Sequence, residues 1–174
     1  MGYTLESYFE RLELIGFFAA YPLVYALINV IAGNKEKGAI QYRLRSLLPF
    51  GYALTGLLYL GFLARNLYPD YSLSHIRSSF YHPYLKIWAL SSILFSIPFL
   101  FKRPVISLLH SLVFMYLLVK DIFNYSVSSN SDVNIIRNDM KLYADSFLLN
   151  CGAFIVVFLI FYLFRKNFQK RGKG

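Results

Sequence analysis

Residues 146–164 read SFLLNCGAFIVVFLIFYLF, with Asp145 immediately before them and Arg165 immediately after. The run has no charge anywhere in it and is apolar on all sides. It is close to the ~20 residues that a helix rising 1.5 Å per residue needs to cross a hydrocarbon layer of about 30 Å. A surface helix of a soluble protein would show a polar stripe opposite its apolar one. A strand of a membrane barrel would alternate over roughly ten residues. This segment does neither, so it reads as a transmembrane helix.

Four more runs of the same kind precede it. The expected spans are about 14–34, 46–65, 84–101, 104–123 and 146–164, joined by short polar segments. The fold class is therefore all-α: a polytopic helical bundle of five transmembrane helices, with residues 1–174 forming one integral membrane domain. Helices are required because backbone facing lipid must bond within its own segment. The third and fourth runs meet at Lys102-Arg103-Pro104. Proline suits a first helical turn, where its missing N–H is not needed, so a tight antiparallel hairpin is expected there.

Composition agrees. Hydrophobic residues make up 57% of the chain and charged residues only 16%, against roughly a quarter charged in a soluble domain. Five spans use about 100 positions, and the remainder is too short for a second core. The single cysteine, Cys151, allows no intramolecular disulfide.

Charge distribution sets the orientation. Lys35, Lys37, Arg43, Arg45, Lys102, Arg103, Arg165, Lys166, Lys170, Arg171 and Lys173 fall on one side of a five-span chain, in very short segments. The other side carries fewer basic residues over longer segments, and the acidic start with Glu6, Glu10 and Glu13. The positive-inside rule then places the C-terminus in the cytoplasm and the N-terminus outside, in a cytoplasmic (inner) membrane. The basic tail reads as a topology anchor against anionic lipid, and no nucleic-acid partner is expected. Beyond Tyr125–Asn134, the helical spacing of Val133, Ile136, Met140 and Tyr143 predicts a short amphipathic surface helix leading into the fifth span.

Few residues offer chemistry. His110 sits six residues into the fourth span, and an intramembrane ionisable residue is a functional candidate by default. With Ser96, Ser107 and Ser111 it forms a polar line that could bind a ligand or face a pore. The alternative is structural. Pro98 cannot donate to the Leu94 carbonyl, and His110 or Ser111 lies at the right depth to do so, or His110 could bond Ser96. Asp70, His75 and His82 share the second loop and are candidate metal ligands, although their spacing matches no standard site. Haem would need a second intramembrane histidine, so no cofactor is expected. Lys120-Asp121 reads as an interfacial ion pair at the end of the fourth span.

Packing signals are clearer. Gly16/Ala20, Gly51/Thr55, Ser92/Ser96 and Ser107/Ser111 are small pairs at i, i+4, and the fifth span offers Ser146/Asn150 and Gly152. Such pairs let helix backbones approach and hydrogen-bond across the seam. Gly16, Ala20, Gly51, Thr55 and Ser92 are the expected helix-packing positions. Absent catalytic motifs and abundant packing pairs together suggest a non-enzymatic multi-pass subunit. It would scaffold or stabilise a membrane complex or self-associate, with a protein partner or a second copy beside it in the bilayer. A channel, transporter or membrane-permeabilising effector is the alternative, and an intramembrane enzyme acting on lipid or protein the third.

Overall fold

The computed structural model describes residues 5–32, 39–66, 68, 83–127 and 133–171. The elements among these residues are all helical. They are α1 (Leu5–Phe18), α2 (Tyr21–Ala32), α3 (Ala39–Asn66), α4 (Pro83–Ser91), a 3-10 turn (Ser92–Ser96), α5 (Pro98–Phe101), α6 (Pro104–Val127) and α7 (Val133–Arg171). Four segments are long and apolar enough to cross a membrane: Arg11–Ile31, Leu44–Asn66, Pro104–Asn124 and Lys141–Phe164.

The third expected span departs from expectation. It is not one helix but α4, the 3-10 turn and α5 in succession. Two causes are visible. Ile97 is extended, at φ −74° and ψ 136°, as the residue before a proline prefers to be. The serines meanwhile bond to their own backbone: Ser91 Oγ donates to the Trp88 carbonyl at 2.6 Å and Ser96 Oγ to that of Ile93 at 2.8 Å. Such bonds compete with the α-helical ladder.

The first span is also broken. A turn at Ala19–Ala20 separates α1 from α2, with Pro22 in the first turn of α2. At the other end of the chain, the expected surface helix and fifth span are one continuous helix, α7. Residues 133–151 contain no Pro or Gly to interrupt it, so the amphipathic stretch simply extends the span.

The core is aromatic. Phe18 stacks on Phe114 at 4.8 Å and meets the edges of Tyr52 and Tyr59 at 5.8 and 5.6 Å. Tyr21 lies 4.3 Å from Tyr52. All five rings are buried, and offset or edge contacts of this kind add to the burial itself. The contacts also fix the register. Arg11 faces Asp121, Phe18 faces Phe114 and Tyr21 faces Ser107, so α1–α2 and α6 run antiparallel. Ser92 lies against Gly56, Phe95 against Tyr52 and Phe101 against Phe50. The broken segment thus runs beside α3 in the opposite sense.

Small residues set the closest approaches. A Cβ on Gly16 would sit 2.8 Å from Leu142 Cδ1, and one on Gly51 would sit 3.3 Å from the Phe154 Cα. At both glycines α7 comes close to its neighbour. Gly152 has no such neighbour: nothing lies within 4 Å of its Cβ position. Ala20, Thr55 and Ser92 are fully buried.

Candidate functional site

The polar residues of the spans gather in three places, and His110 anchors the first. Its ring lies flat against Trp88, with centroids 4.4 Å apart and 6° between planes. Tyr52 and Phe95 present their edges at 5.6 and 5.5 Å. Nδ1 is 2.7 Å from Tyr52 Oη and Nε2 is 2.8 Å from Ser91 Oγ. The proton positions follow from counting donors. The single Ser91 proton goes to the Trp88 carbonyl, so Ser91 Oγ must accept from His110 Nε2–H. Nδ1 then carries a lone pair and accepts from Tyr52 O–H. The ring is a neutral imidazole with both nitrogens engaged, and Trp88 Nε1–H donates to the His110 carbonyl at 3.3 Å.

This differs from the expected contacts. The Leu94 carbonyl accepts from Ile97 N at 3.0 Å and does not need His110 or Ser111. Ser96 bonds Ile93, and Ser111 Oγ donates to the Leu108 carbonyl at 2.8 Å. Tyr52, 58 residues away in sequence, was not legible as a partner because only the fold brings α3 to α6.

Ser107 belongs to the same seam, one helical turn from His110. It donates to the Pro104 carbonyl at 2.7 Å, so its oxygen accepts from Tyr21 O–H at 2.8 Å. Of the polar line read from the sequence, Ser107, His110 and Ser111 are buried inside the bundle, while Ser96 is exposed.

The second place is the break between α1 and α2. There the chain leaves backbone groups that a continuous helix would pair. Ala20 N–H donates to Ser146 Oγ at 3.2 Å, and Asn150 Nδ2 donates to the Phe17 carbonyl at 2.8 Å. The same amide nitrogen also reaches the Ser146 carbonyl at 2.8 Å. Thr55 Oγ1 sits 3.2 Å from both Asn150 Oδ1 and the Gly51 carbonyl, so its one proton lies between them. One turn of α7 thereby caps α1 and ties it to α3.

The third is an ion pair. Arg11 Nη2 lies 2.9 Å from both carboxylate oxygens of Asp121. Asp121 does not pair with the adjacent Lys120, although their neighbouring positions suggest it. On a helix those two side chains diverge by about 100°, and Lys120 is exposed. Lys86, near the start of α4, is buried.

The metal-ligand candidates Asp70, His75 and His82 lie outside the described residues. Among the described residues no group of three His, Cys, Asp or Glu side chains could hold an ion. No family model, curated protein or solved structure matches this chain.

The geometry makes a prediction for His110. His110→Leu leaves Tyr52 O–H without an acceptor and should lower stability by about 0.6–2 kcal/mol, the range for such bonds within membranes. His110→Asn, which keeps a polar group, should lose less. Unfolding midpoints measure both, and emission from Trp88, the single tryptophan, reports the loss of the stacked ring. A His110→Leu protein as stable as the parent would show that the pairing contributes nothing.

Proposed function

We propose that this chain is a non-enzymatic multi-pass membrane subunit that scaffolds or stabilises a membrane complex or pairs with copies of itself. One observation carries the reading: the buried polar side chains that bond across helices do so to one another inside the bundle, and the outward faces are largely apolar. His110, Ser107, Asn150 and Thr55 all have internal partners. Leu57, Leu109, Phe123, Ile155 and Phe164 are exposed. A pore or ligand path would need some of that polar line turned to a common opening, and the hydroxyls of Ser107 and Ser111 return to their own helix.

The same proposal includes topology. The broken segment from Pro83 to Phe101 is the third of five crossings, in a cytoplasmic membrane, with the N-terminus outside and the C-terminus inside. Its opposed run beside α3 and the distribution of basic residues support this. A four-crossing chain would place both termini on one side, which separates the two topologies.

Gentle detergent extraction followed by mass measurement tests the subunit reading. The expected mass is that of a homo-oligomer or a complex with another membrane protein. A lone 20.2 kDa chain, in detergent and in nanodiscs alike, would contradict it. Cysteines placed at Ser7, Lys37 and Gly172 in a Cys151→Ser background test topology. Ser7 should label from outside in intact cells, and Lys37 and Gly172 should not.

A further inference from the structure

We infer that the outward face of α7 is the seam through which this chain pairs, in parallel, with a second copy of itself. The inference deepens the proposed subunit role and rests on it. α7 has two faces. Ser146, Asn150, Phe154 and Val157 are buried against the bundle. On the opposite side of the helix, at about 100° per residue, Lys141, Asp145, Leu148, Gly152, Ile155 and Leu159 are all exposed. They follow one another in alternating steps of four and three residues. Two helices that share this repeat can wrap around each other with the same residues facing throughout.

Spacing alone does not select a protein partner. The outward face of α6 takes the same steps through Leu109, Leu112, Tyr116 and Val119, all exposed. That face is made of large apolar and aromatic side chains, and lipid tails are as apolar as leucine, so lipid suffices to cover it. The face of α7 differs in two respects. The first is Gly152. Nothing in the chain lies within 4 Å of its Cβ position, so it serves no packing inside the bundle. A glycine weakens a helix interior relative to alanine, but here it leaves a notch where a second backbone can come close.

The second is charge. Lys141 and Asp145 stand in the first turns of the membrane-crossing segment Lys141–Phe164 and are exposed there. Among the described residues neither belongs to an ion pair, with the other or with any third group. A charge at such a position is costly facing lipid and less so when paired. Copies inserted in one membrane share one orientation, so a two-fold axis along the membrane normal lays the α7 seams side by side and parallel. A residue in such a seam also meets the partner's residues one turn above and below. Each Asp145 then meets the partner's Lys141, and each Lys141 the partner's Asp145. A second copy therefore supplies both missing counter-charges at once, together with a matching notch at Gly152.

The test uses the full chain, in its membranes and then purified in detergent. In a Cys151→Ser background, Leu148→Cys, Ile155→Cys and Leu159→Cys should each give a disulfide-linked dimer on mild oxidation with copper phenanthroline. Leu109→Cys and Tyr116→Cys on α6 should not. Gly152→Leu should weaken dimerisation of the purified chain by about tenfold, and the unfolding midpoint of the monomer should not fall, because the leucine meets nothing in its own chain. Asp145→Lys should weaken pairing by about the same factor, and Lys141→Asp/Asp145→Lys should return it to within about threefold of the parent, since the exchange keeps both pairs across the seam. Crosslinks as strong on α6 as on α7, pairing indifferent to Gly152→Leu, or a double exchange no better than Asp145→Lys would each overturn the proposal. A larger mass on gentle extraction without crosslinks at the three α7 positions removes this seam and leaves the subunit reading standing. A lone chain removes both.

Discussion

Gly56→Ala should destabilise the bundle sharply, and Ser92→Ala should restore much of the loss. A methyl group on Gly56 would land on Ser92 Oγ, and it would also lie 3.2 Å from Ile93 Cγ1 and 3.3 Å from the Ile93 backbone nitrogen. The hydroxyl has no room to be ignored, because Ser92 is fully buried. Forcing an extra methylene-sized group into a packed core costs about 1–3 kcal/mol. Removing the hydroxyl takes away the worst of the clash and leaves contacts that are tight but tolerable. Ser92→Ala alone should be neutral or stabilising, because Ser92 Oγ is buried with no hydrogen-bond partner among the described residues. The Trp88 carbonyl, the acceptor four residues back, already receives Ser91. Gly51→Ala should be milder, since its Cβ would meet Phe154 at 3.3 Å and no closer. Unfolding midpoints of the two single variants and the double variant form a cycle. If Gly56→Ala is harmless, or if Ser92→Ala fails to relieve it, the close approach of α3 to the 3-10 turn is not what the geometry implies.

That pair also shows where the sequence stops being readable. Small residues at i, i+4 mark Gly16 and Gly51, and both meet α7 closely. The same spacing passes over Gly56 because position 60 is a leucine, and Gly152, offered by the fifth span outside any such pair, faces open space. Spacing along one helix carries no information about which face a neighbour will take. Long apolar runs survive translation into structure well, since burial or lipid contact follows from composition alone. Four of the five expected spans correspond to segments of membrane-crossing length. The third does not remain a single helix, because an uncharged run looks the same whether its backbone is α-helical, 3-10 or extended. Only Pro98, Ser91 and Ser96 carry a signal of the break, through the extended residue before proline and competition for backbone groups. His110 was legible as an isolated polar group, whereas Tyr52, Trp88 and Ser91 as its partners were not. Pairings across helices depend on rotation about each axis, which no apolar run specifies. The Arg11–Asp121 pair was hidden for the same reason, as its partners are 110 positions apart.

Asn150→Leu should be the costliest loss of a polar side chain in α7. The leucine would fill a similar volume but offer no hydrogen bonds. The Phe17 carbonyl would lose its 2.8 Å donor at a place where the helix ladder has already ended, and Thr55 Oγ1 would lose one of its two acceptors. An unsatisfied buried carbonyl costs about 1–3 kcal/mol, and water cannot reach it within a bilayer. A loss of about 2 kcal/mol is therefore expected, larger than for Ser146→Ala, which frees only the Ala20 N–H bonded at 3.2 Å. Asn150→Asp should be no rescue. It keeps the acceptor for Thr55 but turns a carboxylate oxygen toward the Phe17 carbonyl, where only a donor fits. Pro22 sharpens the test. It withholds the backbone N–H that would have gone to the Phe18 carbonyl, and so helps to make α7 the source of caps for α1. In a Pro22→Ala background Tyr21 is freed from the bias a following proline imposes, so its own N–H can return to the Phe17 carbonyl, and Asn150→Leu should then lose less than it does in the parent. Equal losses in the two backgrounds, measured by chemical unfolding, would mean that Asn150 stabilises the bundle through Thr55 and α3 and not by capping the break.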